Sequence, residues 1–250
     1  MISSGQETWL WVGFTGMALG ALAIFLIGGR LRQEDRHHAV ASFFVCLIAA
    51  GAYFAMANAQ GLKIVDDRTV FYARYIDWAL TTPLLLLGLL MIALPPVLRG
   101  DDTRHRTSLI AGVLGADVFM IATGVIAALT VDDTVKYVWF TISCGAFLAV
   151  IALVFGPVRA AARAQGEPIA GLFGKLAAVL SGLWLIYPVL WLLGTEGTAV
   201  IGQTTEVFVF AVIDVTAKVG FGLLLVTGVL RLQQAARPAK GASTVAAAAG

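Results

Sequence analysis

Residues 204–230 read TTEVFVFAVIDVTAKVGFGLLLVTGVL, an almost unbroken apolar stretch with Asp214 and Lys218 near its middle. A helix needs about 20 mostly apolar residues to cross the hydrocarbon core of a bilayer. Six more stretches of that kind precede it, at 7–29, 39–60, 70–94, 108–130, 134–156 and 172–194. Across all 250 residues, 59% are hydrophobic, only 13% are charged, and mean hydropathy is +0.88, more apolar than a soluble core of this size requires. Isolated strands would leave backbone groups unsatisfied in lipid, and a barrel would show shorter, alternating segments. The expectation is an all-α membrane protein with the lipid bilayer as its partner. A seven-transmembrane-helix bundle over residues 1–232 is followed by a disordered, Ala- and Gly-rich cytoplasmic tail at 233–250.

The basic residues orient it. Arg30, Arg32 and Arg36 follow the first span, and Arg99, Arg104 and Arg106 the third. Arg159, Arg163 and Lys175 follow the fifth, and Arg231, Arg237 and Lys240 the seventh. The opposite loops hold only Lys63, Arg68 and Lys136, so the positive-inside rule puts the N-terminus outside and the C-terminus in the cytoplasm, in a cell-membrane, multi-pass topology. The formal charge of +2 reflects this orientation and gives no reason to expect a nucleic-acid partner. The N-terminus lacks a secretory cleavage pattern, so the first span is expected to act as an uncleaved insertion signal. Cys46 and Cys144 fall inside spans, where small buried hydrophobes are expected rather than a disulfide or metal ligands. Pro83 and Pro188 lie inside the third and sixth spans and are expected to bend them.

Five ionisable groups remain at membrane depth: Arg74, Asp77, Asp117, Asp214 and Lys218. Each is costly there and needs a partner or a function. Asp214 lies four residues before Lys218, on the same helix face; Asp77 follows Arg74 by three residues and precedes Thr81 by four, sharing a second face. If the faces meet, Arg74 and Lys218 balance Asp77 and Asp214. A structural ion-pair network between two helices accounts for this pattern. So does an imine-forming lysine, because an amine in apolar surroundings can lose its proton and attack an aldehyde.

Aromatic residues favour the imine. Trp184, Tyr187 and Trp191 share one face of the sixth span around Pro188, as the wall of a slot for a flat conjugated ligand. Trp78, Trp139, Phe140 and Tyr53 are candidates for further walls, although such stripes are more often plain packing.

The stretch from Arg74 to Pro83, RYIDWALTTP, followed by four leucines, resembles the third helix of microbial (type I) rhodopsins. The stretch from Asp214 to Gly222, DVTAKVGFG, resembles their seventh, and Trp184 to Trp191 their sixth. The likeness runs from the first span through the seventh and is strongest toward the bacteriorhodopsin-like proton pumps. It implies all-trans retinal bound to Lys218 as a protonated Schiff base, isomerised to 13-cis by light, in a transporter rather than an enzyme. It implies Asp77 as primary proton acceptor, Asp214 as second counterion, Thr81 as the hydroxyl bonded to the acceptor, and Arg74 on its outer side. Tyr53, Tyr187 and Asp214 match a hydrogen-bonded cluster. Trp78, Leu85, Met120, Gly124, Trp139, Phe140, Trp184, Tyr187, Pro188, Trp191 and Ala217 match the retinal pocket. Glu196 and Glu206 match a proton-release pair, with surface solvation as the plainer reading. Asp117 matches a buried structural acid, read as uncharged because no cation is near. A homo-oligomer, trimer or pentamer, is implied as well.

One position departs from the pattern. Gly88 lies eleven residues after Asp77, about 16 Å farther along the helix, where the best-known pumps carry a proton-donating acid. The resulting Asp77, Thr81, Gly88 signature resembles an Asp-Thr-Gly subgroup of bacterial pumps. The expectation is that Gly88 leaves room for cytoplasmic water to reprotonate the Schiff base. His37 and His38 are read as solvated loop residues able to assist. The alternative is a sensory photoreceptor with a slow photocycle and a transducer partner. It gains from the missing donor and loses from Ala217 and the retained glutamates. A chloride pump is disfavoured because Asp77 would compete with the anion, and a transporter without retinal would leave the aromatic slot unexplained.

Overall fold

The computed structural model describes residues 2–94 and 101–236. Arg99, Arg237, Lys240 and most of the expected tail lie outside the described residues. Seven helices are long and apolar enough to cross a membrane: α1 (Ser4–Gly28), α2 (Gln33–Ala57), α3 (Tyr72–Ala93), α4 (Thr103–Leu129), α5 (Asp133–Ala164), α6 (Glu167–Leu193) and α7 (Gln203–Ala235). All seven expected spans are there. Helices α4 to α7 run past the apolar stretches by up to about two turns, because a helix continues into the interfacial layer where hydropathy no longer marks it.

Lipid-facing positions carry large apolar side chains, Leu19, Phe25, Leu148 and Val189 among them, all more than half exposed. Inside, α3 and α7 bury the largest shares of their spans, 61% and 56%, against 17% for α5. These two helices carry Arg74, Asp77, Asp214 and Lys218, while Asp117 lies on α4. Small residues let α1 approach α2 and α7. A Cβ added at Gly13 would sit 2.4 Å from the ring of Tyr53, and one at Gly20 would sit 2.3 Å from Val219 on α7.

Three helices depart from regular winding. In α5, Val154–Val158, containing Pro157, takes the wider i→i+5 winding. In α6, the regular pattern breaks at Leu185, between Glu167–Trp184 and Ile186–Leu193, because Pro188 has no N–H to offer the Trp184 carbonyl. Around Pro83, α3 is one continuous helix from Tyr72 to Ala93. In α7, Thr216–Gly220 widens around Lys218.

A small element escapes the sequence reading. Between α2 and α3, β1 (Lys63–Val65) pairs antiparallel with β2 (Arg68–Val70), with Val65 opposite Arg68. Asp66 and Asp67 form the two-residue turn with positive φ at both, 48° and 63°, as a tight hairpin requires. Gln203 at the start of α7 donates to the Thr69 carbonyl at 2.8 Å and accepts from Gln6 of α1 at 3.0 Å, tying the hairpin to that end of the bundle.

Candidate functional site

The faces of α3 and α7 do meet. Lys218 Nζ donates to Asp77 Oδ2 and to Asp214 Oδ1, each at 2.9 Å, and all three residues are essentially buried, at 2%, 1% and 0% exposure. Asp214 is further held by the hydroxyls of Tyr53, at 2.7 Å to Oδ2, and Tyr187, at 2.7 Å to Oδ1. It therefore accepts three hydrogen bonds. Asp77 is held less fully: its Oδ1 has no hydrogen-bond partner among the described residues. Two carboxylates around one amine leave the trio one negative charge in excess. The carboxylate with the spare oxygen is the better placed to gain a proton.

The hydroxyl of Thr81 donates at 2.8 Å to the main-chain carbonyl of Asp77 rather than to its carboxylate. Arg74 also differs from expectation. Its guanidinium points away from Lys218, pairing with Glu206 Oε1 at 3.4 Å and lying over the Phe210 ring at 3.9 Å. Thus Lys218 alone faces Asp77 and Asp214 directly, and Arg74 links that trio to a second acidic group.

That second group lies near the α6–α7 turn. Glu196 and Glu206 are 4% and 3% exposed, so surface solvation does not describe them. Glu206 Oε2 accepts from both the main-chain N–H and the hydroxyl of Thr195 at 2.8 Å. Glu196 Oε2 accepts from the Tyr75 hydroxyl, which in turn accepts from Trp191 Nε1 at 3.0 Å. Burial pushes the Glu196 carboxyl up to about 7. Arg74, the Tyr75 hydrogen bond and Arg68 oppose that rise, and Glu206 reinforces it.

A pocket opens beside Lys218, with about 800 Å³ free of protein atoms, part of it open to the outside. Its walls include Trp78, Leu85, Met120, Gly124, Phe140, Trp184, Tyr187, Pro188, Trp191 and Ala217. Phe140 stacks on Trp191 with ring centroids 4.3 Å apart. Trp139 is a correction: it is half-buried against the neighbouring apolar cluster and does not line the pocket, because its neighbour Phe140 takes the inward position on α5. Tyr53 serves Asp214 rather than the wall. Tyr75, Thr82, Ser143, Cys144 and Phe147 also line the pocket and were not assigned to it from sequence. For Tyr75 the available signal was its position one residue after Arg74 and three before Trp78.

Asp117 is fully buried and lies 2.9 Å from the Thr82 hydroxyl, which is also 2.8 Å from the Trp78 carbonyl. No cation pairs with it among the described residues. Cys46 is buried and Cys144 half-buried, and both are free thiols.

Toward the other end of the bundle, Gly88 is buried in leucines. A Cβ there would meet Leu225 Cδ2 at 3.2 Å and Phe221 Cε1 at 3.9 Å. Side chains of α7 pack against that position here. His38 is a further correction: it lies within α2 and is 4% exposed, with its ring 4.1 Å from that of His37. Only His37 is solvated, with Nδ1 2.7 Å from the Glu34 carbonyl.

Residues 4–232 match the family model described as bacteriorhodopsin-like protein. The chain is 39% identical over 241 residues to a bacteriorhodopsin of Haloterrigena sp. (strain arg-4), covering 93% of this chain and 92% of that protein. Its fold is similar to the crystal structure of a thermophilic rhodopsin from Rubrobacter xylanophilus, with TM-score 0.85, 39% identity, and coverage of 91% of this chain and 97% of that one. It is also similar to that of a light-driven proton pump, a Coccomyxa subellipsoidea rhodopsin, with TM-score 0.82, 34% identity, and coverage of 91% and 98%. With a family match that spans all seven helices, this multi-pass membrane chain belongs to the bacteriorhodopsin-like protein family.

Proposed function

We propose that this chain is a light-driven outward proton pump that carries retinal on Lys218. The observation that carries the reading is one buried amine held between two carboxylates at the end of an aromatic pocket, with the buried Glu196 and Glu206 beyond Arg74. The residues fit the cofactor. Lys218 Nζ is the one amine bordering the pocket among the described residues, and the walls are flat aromatic rings and short aliphatic side chains suited to a polyene. Retinal joined to Lys218 as a protonated Schiff base supplies light absorption and a change of shape about one double bond.

The protein's residues supply the direction. Asp77 Oδ2, 2.9 Å from Lys218 Nζ, is in position to take the proton of that nitrogen, while Asp214, held by Tyr53 and Tyr187, stays charged as the fixed counterion. When Asp77 becomes neutral, Arg74 loses part of the negative field on its inner side and is drawn more strongly to the glutamates on its outer side. The cation then favours ionisation of Glu196, and a proton leaves to the outside. The positive-inside distribution makes this end the exterior.

Reprotonation comes from the cytoplasm without a carboxylic donor, in keeping with the Asp77, Thr81, Gly88 signature. Because Leu225 and Phe221 pack over Gly88, water reaches the nitrogen only when α7 moves away from α3, and uptake is slow. That closed path is the one observation favouring a slow-cycling sensor as the second reading.

Illumination of unbuffered cells expressing the protein with added retinal tests the proposal. Export acidifies the medium, and a protonophore abolishes the change. Alkalinisation would mean import, and no change would favour sensing.

A further inference from the structure

Arg68, counted in the sequence only as a charge on a sparsely basic side, occupies an unusual position. From β2 its guanidinium reaches across to two other connections of the bundle. Nη1 donates to the Glu196 carbonyl at 3.0 Å, and Nη2 to the Thr130 carbonyl at 2.5 Å, with the Ala128 carbonyl 3.4 Å away. All three acceptors are main-chain oxygens. Arg68 has no carboxylate ion-pair partner among the described residues, so its charge is solvated by carbonyl dipoles and is not cancelled. The half-buried side chain therefore acts as a three-way clamp joining the hairpin, the α4–α5 connection and the α6–α7 turn.

The clamp closes on the residue whose carboxyl lies deepest in that turn. Glu196 is faced by Arg74 and Tyr75 from α3, by Glu206 from α7 and by Arg68 from β2; Asp133, exposed at the start of α5, also feels the Arg68 charge. Arg74 is already engaged with Glu206. We propose that Arg68 is a positioning residue for outward proton release, holding the α6–α7 turn at Glu196 in place and keeping one uncancelled positive charge beside its carboxyl. The charge makes the Glu196 proton easier to lose, and the clamp keeps the carboxyl within reach of Tyr75. The inference rests on the export reading, but its decisive measurement does not.

That measurement is the titration of the Glu196 carboxyl in the dark by infrared spectroscopy, with the band assigned by its disappearance in Glu196→Gln. In Arg68→Gln the titration is expected to move upward by roughly half a unit to one unit, the size of one lost charge in a partly solvated site. Arg68→Lys keeps the charge and is expected to return most of that shift, which a purely structural role would not do. If Arg68→Gln fails to assemble, Arg68→Asn carries the same expectation. A carboxyl titration unmoved in the charge-removing variant, or moved equally in Arg68→Lys, overturns the proposal. Failure of the wild-type protein to export protons would instead overturn the export reading and leave this dark titration standing as its own test.

Discussion

Asp214 and Asp77 face the same amine, yet their surroundings assign them different work. Asp214 accepts three hydrogen bonds whereas Asp77 has an oxygen to spare, which in the proposed cycle makes Asp214 the fixed counterion and Asp77 the acceptor. Replacing Asp77 by Asn should abolish light-driven acidification and shift absorption to longer wavelength, because a counterion that stabilises the cation in the dark has been removed. An unshifted spectrum with pumping intact would contradict the acceptor role. Tyr53→Phe leaves one Asp214 oxygen without its donor in a dry interior, at a cost of about 1–3 kcal/mol. The expected result is faster thermal bleaching with little change in colour. Glu196 provides a pH test. Its carboxyl titrates near 4.5 when unfolded and at about 7 in the folded protein, so the folded state binds the proton more tightly. The associated stabilisation is complete below pH 4.5 and is lost as pH rises through about 7. Thermal bleaching temperature should therefore fall across that window, and Glu196→Gln should remove that part of the slope.

Among the elements, α1 shows how a helix without intramembrane charge still shapes the site. Gly13 leaves the space that the Tyr53 ring fills, and Tyr53 in turn holds Asp214. Gly13→Ala places a methyl group 2.4 Å from that ring, so α1 and α2 must separate or Tyr53 must leave its partner. Overpacking of this kind costs about 1–3 kcal/mol, and thermal bleaching of Gly13→Ala beside Tyr53→Phe is the check. Equal loss in the two variants, without further loss in the double variant, is expected from a shared pathway. The connections were less legible. Strands of three residues carry no periodicity worth reading, and the Asp66–Asp67 turn lacks the glycine that usually announces a hairpin. Arg68 looked like one loop charge among three because hydrogen bonds to distant carbonyls leave no trace in spacing. The widened turn around Lys218 is equally silent, since no proline or glycine stands at its centre to announce it.

For the whole molecule, legibility followed the cost of burial. Lys218, Asp77 and Asp214 stood out because charges inside apolar spans require an explanation, and the structure brings those three together. Tyr75 and His38 did not stand out, since a tyrosine or a histidine near a span is equally at home in water, at an interface or in a core. Gly88 was legible as an absence but not in its surroundings, which depend on how α7 packs. In the proposed cycle that packing sets the return path of the proton. Without an internal donor, decay of the deprotonated intermediate in purified protein should slow in proportion to proton concentration as pH rises. Gly88→Asp should make it faster and nearly independent of pH once Leu225 yields. A wild-type decay that ignores pH would mean that another group supplies the proton. The most direct test of the central claim compares wild-type and Lys218→Ala protein after incubation with all-trans retinal. Wild type should become coloured, and Lys218→Ala should stay colourless in the visible. A Lys218→Ala protein that colours and resists hydroxylamine would contradict the attachment on which the account depends.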